Sequence, residues 1–138
     1  MSESQTVQAR PDIDIDSDLH ELVKAYPPLQ ADRHHLHISV SNGQVQVSGH
    51  VKSPMTRRFV ETRFGSVAGV KNVQLDGLYD DETLRLAAGK LVPPGALVTS
   101  DYGTLVLAGV VEAGAREALI KQLEGIAGVK RVVAGFRD

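Results

Sequence analysis

Five histidines, His20, His34, His35, His37 and His50, all fall in the first half of a 138-residue chain that contains no cysteine. Imidazole is a zinc ligand and a proton carrier, with an ordinary pKa of about 6.5. Three of these rings are brought together by the local pattern. Residues 34–51 read His-His-Leu-His-Ile-Ser-Val-Ser-Asn-Gly-Gln-Val-Gln-Val-Ser-Gly-His-Val, alternating apolar and polar about Asn42-Gly43. That dipeptide favours a tight type I′ hairpin. The turn pairs Ser41 with Gln44, Val40 with Val45, Ile38 with Val47 and Leu36 with Gly49, and carries on to His35 opposite His50. His37 lies two residues along on the same face, so His35, His37 and His50 are candidate ligands for a divalent ion, or a pH-sensitive group of neighbouring imidazoles. The competing and preferred reading is an ordinary polar strand face, because no carboxylate stands at Ser39, Gln46 or Ser48 to orient the rings.

Other chemistry finds less support. Without cysteine there are no disulfides, no thiol catalysis and no cysteine-ligated metal. The carboxylates cluster where helices begin, which capping explains, and no serine sits in a nucleophile-elbow pattern. No glycine-rich phosphate loop follows a strand, so no nucleotide or other cofactor is expected and the chain reads as a non-enzyme. Its net charge of −2 is nearly balanced in both halves, which disfavours a nucleic-acid partner. The first residues lack a basic, then apolar, export pattern, and no run approaches the about 20 apolar residues of a membrane span. The expected location is cytoplasmic, with at most peripheral membrane attachment.

Elements at characteristic spacings must position these groups. Residues 1–12 have no period and read as a disordered tail. Asp18 and Glu21 resemble a capping box ahead of Leu19, Leu22, Val23 and Tyr26, and Pro27-Pro28 ends that helix. Leu29 to Arg33 reads as a polar loop before the hairpin. Ser53-Pro54 then opens a helix whose apolar stripe is Met55, Phe59, Val60, Phe64 and Val67, with Thr56 on the wet side. Gly69 closes that helix, and Val73 and Leu75 mark a third strand.

The same order recurs. Asp80, Asp81 and Glu82 start a helix bearing Leu84, Ala87, Ala88 and Leu91, which Pro93-Pro94 closes. A second hairpin turns at Tyr102-Gly103 between Ala96–Asp101 and Thr104–Val111. A helix over Ala115–Ile126 and a strand with Val132, Ala134 and Phe136 complete the unit. Shifted by 60, Gly43, Gly49 and Val51 fall on Gly103, Gly109 and Val111; shifted by 59, Arg57 falls on Arg116 and Ala68-Gly69-Val70-Lys71 on Ala127-Gly128-Val129-Lys130. The expected fold class is α+β: two tandem α-β-β-α-β units over 13–79 and 80–138, each a three-stranded mixed sheet with two helices on one face.

The run from Asn42 to Val51, Arg57 near a helix start, and Val67-Ala-Gly-Val-Lys-Asn-Val73 resemble BON domains, small bacterial modules of osmotic-stress and nodulation proteins. The second copy resembles them too, although Tyr102-Gly103 replaces Asn-Gly. The resemblance implies a non-catalytic module that binds phospholipid surfaces or holds envelope components together, with small ions as ligands of some members.

Two surfaces are then candidates. On the second unit's first helix, Leu86 stands beside the core stripe while Leu84, Arg85 and Lys90 share the same short segment; with Lys52, Arg57, Arg58 and Arg63 they form the expected lipid-binding set. An Ala-rich core helix and a solvated basic face are the plain alternatives. The second surface is the sheet face away from the helices. In the first unit it reads His, Ser and Gln, but in the second it carries Leu97, Val106, Ala108, Val110 and Val133, too apolar to stay wet. The first unit, a second copy of the chain or another protein must cover it. Peripheral phospholipid binding is the leading expectation, a scaffold that self-assembles or docks a partner through the apolar sheet face is the rival, and ion sensing is a third.

Overall fold

The computed structural model describes residues 10–138. The first unit comprises helix α1 (Asp12–Ala25), a short α2 (Pro27–Ala31), strands β1 (Leu36–Ser41) and β2 (Gln44–Val51), helix α3 (Pro54–Phe59) continuing into a wide turn over Val60–Phe64, and strand β3 (Asn72–Asp80). The second comprises α4 (Asp81–Gly89), β4 (Ala96–Asp101), β5 (Thr104–Val110), α5 (Arg116–Glu124) and β6 (Arg131–Arg137). Each unit has its own three-stranded mixed sheet, ordered β1-β2-β3 and β4-β5-β6, with an antiparallel hairpin and a parallel third strand. The parallel pairing follows from the helix between second and third strands, which returns the chain to the same end of the sheet. The fold is the expected α+β pair of mixed sheets.

The expected hairpin register holds from Leu36↔Gly49 to Ser41↔Gln44. It buries Val45, Val47 and Val51 under Ile15, Leu19 and Phe64. The second core, Leu105, Leu107, Val111, Ala88, Leu119 and Leu123, lies under α4 and α5. A bulge in β3 lets Ser48 face Gly77 although Gln46 faces Gln74. Leu75 and Leu78 can therefore both reach the core, three residues apart.

Several local expectations are corrected. Helix α1 begins at Asp12 rather than Asp18, because Ile15 and Leu19, four residues apart, are both fully buried; Asp18 lies inside the helix and pairs with Arg10 at 2.7 Å. The expected tail is thus ordered from Arg10 onward, and its first nine residues lie outside the described ones. Leu29, expected in a loop, is a core residue on α2. Met55 is 73% exposed, and Thr56 takes its place against the sheet with Val60 and Phe64. The wide turn after Phe59 stretches the helical repeat toward four residues, which aligns 56, 60 and 64 and rotates Met55 outward.

Candidate functional site

Each hairpin turn is held by an aspartate from the first turn of a helix. Asp12 accepts from the backbone N–H of Asn42 at 2.8 Å and Gly43 at 3.0 Å. Asp81 accepts from Tyr102 N at 2.7 Å, Gly103 N at 3.0 Å and the Ser100 hydroxyl at 2.7 Å. Both turns place a side-chain-bearing residue at positive φ, Asn42 at 52° and Tyr102 at 49°. Tyrosine gains little there by itself, so its place calls for a tertiary reason.

That reason is the joint between the units. The Tyr102 ring stacks on His35, with centroids 3.5 Å apart and planes 5° from parallel. Its hydroxyl donates to Asp32 Oδ1 at 2.7 Å, and Asp32, 1% exposed, also accepts from Lys52 N at 3.1 Å. Burial first, then the Asp32 hydrogen bond and charge, raise the Tyr102 phenol well above its usual range. Lys52 Nζ lies 4.2 Å from the same ring and donates to Asp101 at 2.6 Å, which holds that carboxyl below its ordinary value. His50 Nε2 donates to the Gly128 carbonyl at 2.6 Å, beside the Tyr79 ring. A Cβ on Gly103 would land on the His50 ring, so this turn requires glycine for contact as well as for φ.

The joint corrects two expectations about chemistry. His35, His37 and His50 do not come together as ligands: His35 stacks on Tyr102, His50 turns to Gly128, and His37 stays exposed on β1. His35 belongs to a short turn over Arg33–His35, so the ladder stops at Leu36 and never places it across from His50. Among the described residues no three His, Asp or Glu groups are arranged to hold a metal. The expected lipid-binding set is also divided. Lys52 is engaged at the joint, and Arg57 donates from Nε to the Leu78 carbonyl at 2.9 Å and from Nη2 to that of Leu75 at 3.1 Å. Leu84 is 3% exposed and lines a cleft of about 380 Å³ with Arg57, Leu78, Tyr79 and Ile126. Arg58, Arg63, Arg85, Leu86 and Lys90 remain on the surface, with Arg63 over the Phe59 ring.

The outer sheet faces keep the contrast expected from the sequence. His37, Ser39, Gln44 and Gln46 are exposed on the first sheet. On the second, Leu97 is 69% exposed, Val110 44%, Val133 42% and Val106 39%, with Ala108 among them. Among the described residues, the first unit touches the second at the Tyr102 turn and at Gly128 and leaves this face open, so packing of one described unit on the other, one of the three covers anticipated for it, is not what covers it.

Residues 11–78 match the BON domain family model. The BON match covers α1 to β3 and stops before the second unit, whose likeness to the first rests on the repeated order and glycines above. No curated protein matches the chain. Among solved structures, the C-terminal domain of CdsD, the structural protein of the Type III secretion system of Chlamydia trachomatis, superposes with a TM-score of 0.64 at 14% identity, over 87% of this chain and 63% of that one. This chain thus spans less than two thirds of that relative, and the likeness is one of fold alone. A second CdsD structure gives a TM-score of 0.39 at 12% identity, over 89% of this chain and 91% of that one.

The Asp12 and Asp81 clamps and the Tyr102 joint were missed from sequence. The clamps did leave a signal, an aspartate opening the first helix of both units at a separation of 69 residues. The joint left only one, a tyrosine where a turn prefers asparagine.

Proposed function

We propose that this chain is a non-catalytic assembly module that docks protein through the outer face of β4, β5 and β6. One observation carries the reading: Leu97, Val106, Val110 and Val133 lie uncovered on a sheet whose counterpart in the first unit is polar. Contiguous exposed apolar side chains cost solubility unless a partner removes them from water, and a sheet face presents them rigidly. The groups that could have done other work, His35, His50, Lys52, Arg57 and Asp81, are used to hold the molecule together. A BON domain is a binding rather than a catalytic class, and the fold-level relative is described as a structural protein.

A second reading, peripheral phospholipid contact, draws on one feature of α4. Leu86 is 53% exposed and stands beside Arg85 and near Lys90, an apolar side chain among cations. The two readings separate by photo-crosslinking in the native host with benzophenone placed at Val106 or at Leu86. A discrete protein adduct from Val106, lost on Leu97→Asp, is the expected result. Lipid adducts from Leu86, with none to protein from Val106, would replace the assembly reading with the membrane one.

A further inference from the structure

We propose that the partner on this face is a second copy of the chain, packed sheet on sheet about a two-fold axis that runs along the strands. The inference rests on the reading of the β4–β6 face as a protein-docking surface and adds what covers it. The observed register sorts the outward residues into rows across the sheet. Asp101, Thr104 and Arg131 form the row nearest the turn, then Thr99, Val106 and Val133, then Leu97, Ala108 and Gly135. Acid and base therefore occupy the two edge strands of one row, and the largest and smallest side chains the two edges of another.

A two-fold along the strands exchanges the edge strands and preserves the rows. Asp101 then faces the partner's Arg131, and Arg131 the partner's Asp101. Leu97, the most exposed of the apolar residues, falls over the partner's Gly135, where no side chain resists it. Val106 and Ala108 meet their own copies near the axis. Asp101 can serve in this contact: only its Oδ1 takes Lys52, and the side chain is 70% exposed. The other axis that brings the same faces together runs across the strands and reverses the rows. It would set Arg131 against the partner's Arg137 and Leu97 against the partner's Thr99, which opposes like charges and removes the large-to-small fit. Aligned sheets cross at about 30°, which leaves contacts close to the axis in these rows. Such an interface is isologous and closes at a dimer.

The test uses the full chain in analytical ultracentrifugation. The wild type is expected to show a concentration-dependent monomer–dimer equilibrium, and Leu97→Asp to weaken it on the order of 100-fold by burying an unpaired carboxylate. Arg131→Asp and Asp101→Arg chains should each be monomeric, and their equimolar mixture should dimerise, because only the mixed pair opposes an acid to a base at both contacts. Because the chain has no cysteine, Ala108→Cys supplies a single thiol that a short bis-maleimide should join across the axis, whereas Ser39→Cys on the first sheet should not be joined. A chain that stays monomeric at every concentration overturns the proposal, as does a dimer indifferent to Leu97→Asp, or charge variants that fail to associate when mixed. If the chain is monomeric but Val106 still crosslinks a different protein in the host, the second copy fails and the docking surface stands. Monomeric protein with no adduct at Val106 removes both.

Discussion

Where the first sheet presents His37, Gln46 and Gln74 to solvent, the second presents Leu97, Val106 and Val133 at corresponding places, on hairpins of matching register. The inner faces differ little: valines and leucines in both, under helices begun by aspartates that clamp a turn. Turn chemistry, inner face and glycines suffice to specify the unit, which leaves the outer face free to differ between the two. The ends of the sheets diverge as well. The first unit offers His50 and Lys52 to the incoming Tyr102 turn, whereas the second has Val110 and Glu112 at the equivalent end and cannot repeat that joint.

The sharpest way to break the comparison is at the clamps. Asp81 is 5% exposed and accepts three hydrogen bonds, one from a buried N–H. Asp81→Ala strands those donors inside the joint and is expected to cost about 3–4 kcal/mol. Asp12 accepts only two such bonds, one from the exposed Asn42 N–H, which water can take over, and one from the part-buried Gly43 N–H, so Asp12→Ala should cost less, about 1–2 kcal/mol. Urea unfolding of the two variants measures the difference. Equal losses would mean that the joint does not deepen the second clamp.

How much of this was legible in the sequence follows the range of the interactions. Asn42-Gly43 and the strict alternation around it fixed a hairpin to the residue, and the repeated Ala-Gly-Val-Lys marked the second unit, because both signals are local. Met55 was misplaced because a wide turn at Val60 changes the helical repeat, and nothing in the composition of that helix announces such a turn. The histidines were misread for a different reason. Period-two alternation extends a ladder for as long as the pattern lasts, but a short turn over Arg33–His35 precedes β1, and His35 stacks on Tyr102, whose hydroxyl meets Asp32 from 70 residues away. The apolar outer face was legible because an exposed leucine and three valines break a pattern that the first unit keeps.

A smaller perturbation removes one atom from the joint. Tyr102→Phe keeps the stack on His35 but takes from buried Asp32 one of its two donors, an expected loss of about 1–2 kcal/mol in urea. The same variant should alter the alkaline limb of stability. Below the ordinary tyrosine value of 10.0 the phenol is neutral in both states, and its contribution is complete. Above 10.0 the unfolded chain releases the proton while the folded chain holds it, so stability declines as pH rises. Tyr102→Phe should flatten that decline, and a parallel decline in the variant would place its origin elsewhere.

The smallest effect belongs to Lys52 and Asp101, a pair the first unit lacks because Ser41 stands at the position of Asp101. The hydrogen bond from Lys52 and then its charge lower the Asp101 carboxyl below its ordinary 3.8. The pair therefore contributes in full above 3.8, and its contribution is lost as pH falls through the lowered value. With the carboxylate 70% exposed, solvent and salt screen the attraction, and Asp101→Asn should cost no more than a few tenths of a kcal/mol at neutral pH. Comparing melting temperatures of wild type and Asp101→Asn at low and at molar salt checks this at a concentration where both are monomeric. A difference that persists in molar salt would mean that Asp101 acts through packing against Tyr102 rather than through charge, and would make the joint less electrostatic than its lysine suggests.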